Sequence, residues 1–156
     1  MNVYSIQAGN FKLDGGAMFG VVPKSLWQKT NPADSANMID MSSRCMLIEN
    51  GNKLILVDTG MGNKQSEKFF SYYKRSGDFE LIKSINKAGF EANDITDVLL
   101  THLHFDHCGG AVVWDKSNER YDVQFKNANY WSNEDHWHWA TNPNPSCLLY
   151  TSDAAD

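Results

Sequence analysis

The hydrophobic pattern is clearest in two short β-rich runs, 45–49 and 53–57, which the polar segment Asn50-Gly51-Asn52 separates. Asn-Gly between two such runs is a strong signal for a β-hairpin. A third apolar run, 98–101, has the length and composition of a buried strand. We therefore expect a sheet that contains the hairpin and this third strand. Weaker strand signals lie at 3–6, 19–22 and 128–131.

Helix-period segments alternate with these strands. Aromatic residues share one helix face in 64–75, and apolar residues share one face in 80–88, where Gly89 is a suitable helix stop. We expect a further helix at 109–114 and a short one through Trp139 that begins at a capping box in 132–135. Residues 1–42 and 115–122 have the composition of loops. This alternation predicts an α/β fold with a mixed sheet and helices.

Length and charge restrict the class of protein. A chain of 156 residues fits one domain, and its net charge of −5 gives no attraction to a phosphate backbone, so we expect no nucleic-acid partner. The N-terminus lacks the pattern of a signal peptide, and no apolar run approaches the roughly 20 residues of a membrane helix. The cysteines are scattered and odd in number (Cys45, Cys108 and Cys147), which implies no disulfide framework. We expect a cytoplasmic protein without a membrane partner.

The residues from His102 to His107 carry the chemistry. They place three of the five histidines of the chain and one aspartate within six positions. In an extended segment, His102, His104 and Asp106 fall on the same side, and His107 points to a neighbouring position. Imidazole and carboxylate together suit zinc, iron or manganese. The pattern therefore predicts two adjacent metal positions in one loop, rather than a surface loop that is rich in histidine by chance.

The pattern His-x-His-x-Asp-His at 102–107 resembles that of the metallo-β-lactamase-fold hydrolases. The run Lys53-Leu-Ile-Leu-Val-Asp58-Thr-Gly60 is similar to the earlier strand-and-aspartate signature of that family, and the resemblance extends over about 43–139. Gly109-Gly110 after the histidines, and the stretch Leu13-Asp-Gly-Gly-Ala-Met-Phe-Gly20, look most like the lactonase and organophosphate-hydrolase branches.

The resemblance implies roles for these residues. His102 and His104 would bind a first metal ion and Asp106 and His107 a second, with two zinc ions as the expected cofactor and iron or manganese as alternatives. Asp58 would orient the metal loop without binding metal, although the residues alone also allow a turn or cap role. Asp106 would pass a proton to the leaving group. The implied reaction is hydrolysis of an ester-like bond in a small molecule (a lactone, thioester or phosphotriester) by a metal-bound hydroxide.

The sequence signal for substrate-binding residues is less specific than the signal for metal ligands. Met18, Phe19 and Trp27 either line an acyl- or aryl-binding pocket or pack onto the first sheet, and we assign Phe105, inside the motif, to the pocket with Met18 and Phe19. His136 and His138 lie two apart on a predicted helix, so they point in different directions and cannot both serve one site. We expect neither to bind metal, and a homodimer is compatible with the chain.

The chain is shorter than the resemblance to this family implies. The family fold consists of two halves in an αββα sandwich, and the later metal ligands have no matching motif here. We therefore expect 1–145 to be the N-terminal half of such a domain and 146–156 to be a non-native tail. Two alternatives stay open: an iron-dependent oxidoreductase of the same superfamily, and an inactive fragment that lacks the second half of the site.

Overall fold

The structure is a computed structural model that describes residues 1–77 and 80–143. The predicted tail at 146–156 lies outside the described residues. The strands are β1 (Asn2–Asp14), β2 (Met38–Asn50), β3 (Lys53–Val57), β4 (Asp97–Leu99), β5 (Val112–Asp115), β6 (Arg120–Val123) and β7 (Asn129–Trp131). The helices are α1 (Gly15–Phe19), α2 (Lys24–Trp27), α3 (Glu67–Ser71), α4 (Leu81–Lys87), α5 (Phe105–Cys108) and α6 (Glu134–Thr141).

The main sheet has five strands in the order β1-β2-β3-β4-β7. β2 pairs antiparallel with both β1 and β3, whereas β4 pairs in parallel with both β3 and β7. The predicted hairpin is confirmed, because Asn50 pairs with Lys53 and leaves a two-residue turn in which Gly51 has a φ of 60°. The predicted α/β fold with a mixed sheet is confirmed as well.

One face of the main sheet forms the core. Leu47, Leu56 and Val98 project from neighbouring strands and are fully buried. Leu81 and Ile85 of α4 pack against this face. Strand residues alternate between the two faces, so each intervening position lies on the other side.

The other face is much less covered. Met46, Val57, Leu99 and Trp131 pair in sequence across β2, β3, β4 and β7, and we refer to this row as the open face. Met46 is 41% exposed, Leu99 42% and Trp131 54%. The sheet therefore has one apolar face packed by helices and a second apolar row that remains accessible.

The N-terminal region differs from the prediction. Residues 1–42 are not loop-rich, because β1 extends over 13 residues from Asn2 to Asp14 and β2 begins at Met38. The predicted strand at 19–22 is wrong. The side chain of Asp14 accepts a hydrogen bond from the backbone N–H of Ala17 and so caps the start of α1, the helix in which Phe19 is the last residue.

The predicted helix at 109–114 is also wrong. The helix lies earlier, at Phe105–Cys108, and a 3-10 turn at Gly109–Ala111 leads directly into β5. The β-branched pair Val112-Val113 favours a strand, and β5 forms an antiparallel ladder with β6. The 115–122 segment is consequently the turn and second strand of a hairpin rather than a loop.

The other predicted helices are present with different bounds: α3 and α4 are shorter than predicted, whereas α6 extends to Thr141, beyond the predicted end at Trp139. α3 covers five residues of the predicted 64–75 segment and is capped by Ser66, whose hydroxyl oxygen accepts from the N–H of Phe69. α6 begins after Asn133, whose side chain accepts from the N–H of Asp135, so the cap is one residue later than predicted. Within 1–77 and 80–143, no helix has the length and apolar character needed to cross a bilayer.

A buried carboxylate joins three strands of the main sheet. Asp97 on β4 is 6% exposed and accepts hydrogen bonds from Lys53 Nζ at 2.9 Å, Thr96 Oγ1 at 2.7 Å and Trp131 Nε1 at 2.9 Å. The bond from Lys53 is the largest cause that lowers the pKa of Asp97 to about 2. Asp97 therefore stabilises the pairing of β4 with β3 on one side and with β7 on the other.

The two faces of the sheet should respond differently to truncation. Leu56→Ala removes a side chain from the packed face and should lower the free energy of unfolding by about 2–5 kcal/mol. Met46→Ala, on the open face, should cost less than about 1 kcal/mol. Urea unfolding followed by circular dichroism measures both. Equal losses would contradict the assignment of faces.

Asp97 should contribute acid-sensitive stability. Its pKa is lowered from a usual value of 3.8 to about 2, so the stability from the ionised group is fully present above about pH 4 and is lost as the pH falls to about 2. Asp97→Asn should therefore be less stable than wild type at pH 7, and the gap should narrow near pH 2. A gap that stays constant over this range in urea unfolding would contradict the interpretation.

Candidate metal centre

Parallel pairing brings two loops to the same edge of the sheet. Val57 at the end of β3 is the register partner of Leu99 at the end of β4. The next residue after β3, Asp58, donates its backbone N–H to the Leu99 carbonyl at 2.9 Å. We refer to 58–62 as the aspartate loop and to 101–110 as the histidine loop. The ends of parallel strands are where ligand sites of layered α/β proteins occur.

The carboxylate of Asp58 holds the two loops together. It accepts the backbone N–H of Thr101 at 2.9 Å, the Thr101 hydroxyl at 2.9 Å and Nδ1 of His107 at 2.8 Å. Burial opposes ionisation of Asp58, but the bonds from His107 and Thr101 outweigh it and hold the pKa below its usual value. Asp58 also has a φ of 61°, a conformation that is uncommon for a residue other than glycine.

These bonds fix which imidazole nitrogens carry protons. A carboxylate can only accept, so Nδ1 of His107 is the donor to Asp58, which leaves Nε2 as the potential ligand atom. The Thr101 hydroxyl donates its proton to Asp58, so its oxygen can accept from Nδ1 of His102 at 3.1 Å. In both histidines, Nε2 is then the nitrogen available to a metal ion.

The three imidazoles of the histidine loop lie close together. The ring centroid of His102 is 4.6 Å from that of His104 and 4.0 Å from that of His107. Oδ2 of Asp106 lies 3.5 Å from Nε2 of His107. Among the described residues, no three His, Cys, Asp or Glu side chains already stand in the geometry of a metal cage. The roles given to His102, His104, Asp106 and His107 therefore stay predictions, for which the structure supplies the clustering of donors.

The electrostatic environment differs among the three imidazoles. Burial is the main cause that lowers the pKa of His102 and of His104, and neighbouring imidazoles lower both further. The hydrogen bond with Asp58 raises the pKa of His107. Neutral imidazole is the form that binds a metal ion, so the environment of His102 and His104 favours their ligand form.

Direct backbone contact locks the histidine loop onto the aspartate loop. Thr59 donates its N–H to the carbonyl of His107 at 2.7 Å, and Gly110 donates its N–H to the carbonyl of Gly60 at 3.0 Å. A Cβ at Gly110 would lie 2.3 Å from the carbonyl oxygen of Thr59, and one at Gly109 would lie 2.2 Å from that of Met61. Only glycine permits this approach, so the two glycines set the distance between the loops.

The predicted substrate-binding residues lie in two different places. Phe105 is 7% exposed and packs edge-on against Phe69, in a cluster of buried residues, so it anchors the histidine loop from below. Met18 and Phe19 belong to α1, where Phe19 stacks on the buried Trp27 at 5.0 Å and Met18 is 43% exposed. Their role in binding a substrate stays a prediction.

The structure adds one residue to this region that sequence reasoning had set aside. The ring of His136, on α6, lies 6.4 Å from that of His102, centroid to centroid. The sequence offers no signal for this approach, because it depends on where α6 packs relative to the histidine loop. The other histidine of α6, His138, is exposed.

The sequence and the fold have known counterparts. Residues 39–119 match the sequence profile of the Metallo-beta-lactamase superfamily, which is just over half of the chain. The chain belongs to this superfamily. A probable metal-dependent hydrolase from Staphylococcus aureus, solved as a crystal structure, is 34% identical with a TM-score of 0.86, over 98% of this chain and 54% of that one.

Two lactonases are also similar. A dizinc quorum-quenching lactonase, solved in complex with N-hexanoyl-L-homoserine as product, is 31% identical with a TM-score of 0.67, over 91% of this chain and 45% of that one. An N-acyl homoserine lactonase of Bacillus thuringiensis is 25% identical over 118 residues, which is 69% of this chain and 43% of the lactonase. The chain thus spans about half the length of the relatives that it matches. The predicted membership of the superfamily is confirmed, and so is the predicted similarity to lactonases.

Contact between the two loops should control metal binding. Gly110→Ala places a Cβ 2.3 Å from a backbone oxygen, so the loops must separate and the bond between Asp58 and His107 must lengthen. We expect zinc affinity to fall by roughly 10–100-fold, as when a partner of a metal ligand is removed. Competition with a chromophoric chelator measures this affinity.

Gly16→Ala is the matched control for this variant. Its Cβ would lie 2.9 Å from Oδ1 of Asp14 and 3.6 Å from Nδ2 of Asn37, which are side-chain ends that can move aside. Zinc affinity should stay at the wild-type value in this control. Equal affinities in Gly110→Ala and wild type would show that the loop contact does not hold the ligands.

Proposed function

We propose that the protein is a metal-dependent hydrolase of an ester-like bond, with lactones as the substrate class. The observation that supports it most is the set of three imidazoles and one carboxylate at the edge of the sheet, with His107 held through Nδ1 by Asp58. Donors of this kind, with their ligand nitrogens fixed by a carboxylate, are typical of zinc sites in hydrolases.

The residues present fit a divalent cation. His102 and His104 would bind one zinc ion through nitrogen, and Asp106 and His107 would bind a second. Nitrogen and oxygen donors suit zinc and also iron or manganese. When bound, such ions lower the pKa of a coordinated water and polarise the carbonyl oxygen of an ester, which promotes attack on the carbonyl carbon.

Other steps of the reaction would depend on side chains that position the ligands and move a proton. Asp58 positions His107 and, through Thr101, the start of the histidine loop. Asp106, beside His107, would accept the proton released as water adds to the carbonyl and would pass that proton to the leaving alkoxide. The substrate would be a small molecule rather than a nucleic acid, because the net charge of −5 does not favour phosphate binding.

The choice of lactones is supported by the relatives. The similar proteins include N-acyl homoserine lactonases and a dizinc lactonase. A lactone is a cyclic ester, so its hydrolysis needs the activated water and the proton donor that the site would supply. We propose the same reaction class for this protein.

Loss of a metal ligand should remove the activity. His104→Ala and Asp106→Ala should each lower the rate of lactone hydrolysis by at least about 100-fold, with loss of bound zinc measured by elemental analysis. Asp40→Ala is a control for the second variant, since the carboxylate of Asp40 is exposed on β2.

Chelation provides the complementary measurement. Exhaustive treatment with a chelator should abolish hydrolysis, and added zinc should restore it. Hydrolysis that survives complete removal of metal would contradict the proposal. A protein that instead binds a single iron and consumes oxygen would belong to the oxidoreductase alternative.

A further inference from the structure

His136 has a buried nitrogen that nothing satisfies. Its Nδ1 is inaccessible to solvent and has no hydrogen-bond partner among the described residues. A buried polar atom without a partner costs free energy, so native structures pair nearly all such atoms with protein, water or ligand. His136 therefore requires an explanation that residues 1–77 and 80–143 do not provide.

A role in packing does not explain His136. None of the residues of α6 is buried, so this helix does not insert a side chain into a core. Trp137 and Trp139, on either side of His138, are 63% and 52% exposed. The ring of His136 instead faces His102 at 6.4 Å and Trp139 at 5.6 Å.

The distance also disfavours a role as metal ligand with His102. A zinc–nitrogen bond of about 2.0–2.1 Å places each ring centroid roughly 3.2 Å from the ion. Two rings on one tetrahedral ion then lie about 5 Å apart, and 6.4 Å would need nitrogens on opposite sides of the ion. His102 and His104, at 4.6 Å, are within the tetrahedral range, whereas His102 and His136 are not.

We infer that His136 is a substrate-binding residue, and this inference rests on the proposed function. The exposed helix α6 shifts when an acylated substrate is held at the histidine loop, and this shift uncovers Nδ1, whose N–H then donates a hydrogen bond to a carbonyl oxygen of that substrate. The exposed indole of Trp139, next to the His136 ring, contacts the acyl chain of the same molecule. A large aromatic surface beside a hydrogen-bond donor suits a ligand with an apolar chain and a carbonyl group.

Binding of a defined probe tests the inference. N-hexanoyl-L-homoserine is titrated into the zinc-loaded protein by calorimetry, and KM and kcat are measured with the corresponding lactone. His136→Ala should weaken binding of the probe and raise KM, each by roughly 10-fold, because one hydrogen bond is lost. The zinc content and kcat should change little.

Two replacements of His136 show which of its ring nitrogens donates the hydrogen bond to the probe. The amide nitrogen of Asn occupies nearly the position of Nδ1, so His136→Asn should recover most of the affinity. The amide of Gln reaches the position of Nε2, so His136→Gln should bind as weakly as His136→Ala. His138→Ala is the matched control on the same helix and should bind the probe like wild type.

The outcomes separate this inference from the proposed function. Binding of the probe by His136→Ala with wild-type affinity, loss of zinc from this variant, or no binding by wild type would each overturn the role of His136. Probe binding that depends on His136 in a wild-type protein without lactone turnover would support His136 and contradict the hydrolase proposal. Turnover that is unaffected in His136→Ala would contradict the role of His136 alone.

Discussion

The site depends on the carboxylate of Asp58, which bonds to Thr101 at the start of the histidine loop and to His107 within it. One oxygen accepts the backbone N–H of Thr101, just before the histidines, and the other accepts Nδ1 of His107. Asp58 itself is fixed by parallel pairing, because its N–H donates to Leu99 on β4. The pairing of β3 with β4 thus fixes the position of Asp58, and Asp58 in turn fixes the position of the side chains that we propose as ligands.

The contact between the loops explains several unusual features nearby. Asp58 has a positive φ, and Gly109 and Gly110 bring backbone against backbone. Backbone strain of this kind persists only where surrounding bonds enforce it. Lys64 adds to these bonds from the aspartate side, donating to the carbonyl of Gly109 at 2.8 Å, while burial lowers its pKa. Phe105 packs beneath the loop in a cluster of buried residues, so the histidine loop is anchored to the interior of the protein.

The sequence was informative where local chemistry decides the structure. The Asn-Gly turn defined the hairpin, and the apolar run before Thr101 indicated the strand that leads into the histidine loop, although β4 ends at Leu99. It was misleading where tertiary contact decides. Gly109-Gly110 suggested the start of a helix, but these glycines serve close packing, and pairing with β6 draws the next residues into a strand. The length of β1 depends on pairing with β2, and the approach of His136 depends on the docking of α6, neither of which a local pattern encodes.

A crystal structure of the zinc-loaded protein, with anomalous difference maps at the zinc edge, tests the central claim most directly. The account predicts zinc peaks about 2.0–2.2 Å from nitrogens of His102 and His104 and from donor atoms of Asp106 and His107. It also predicts that Asp58 bonds to Nδ1 of His107 and does not touch the metal. A peak bound by Asp58, or zinc that binds only away from the histidine loop, would contradict the account.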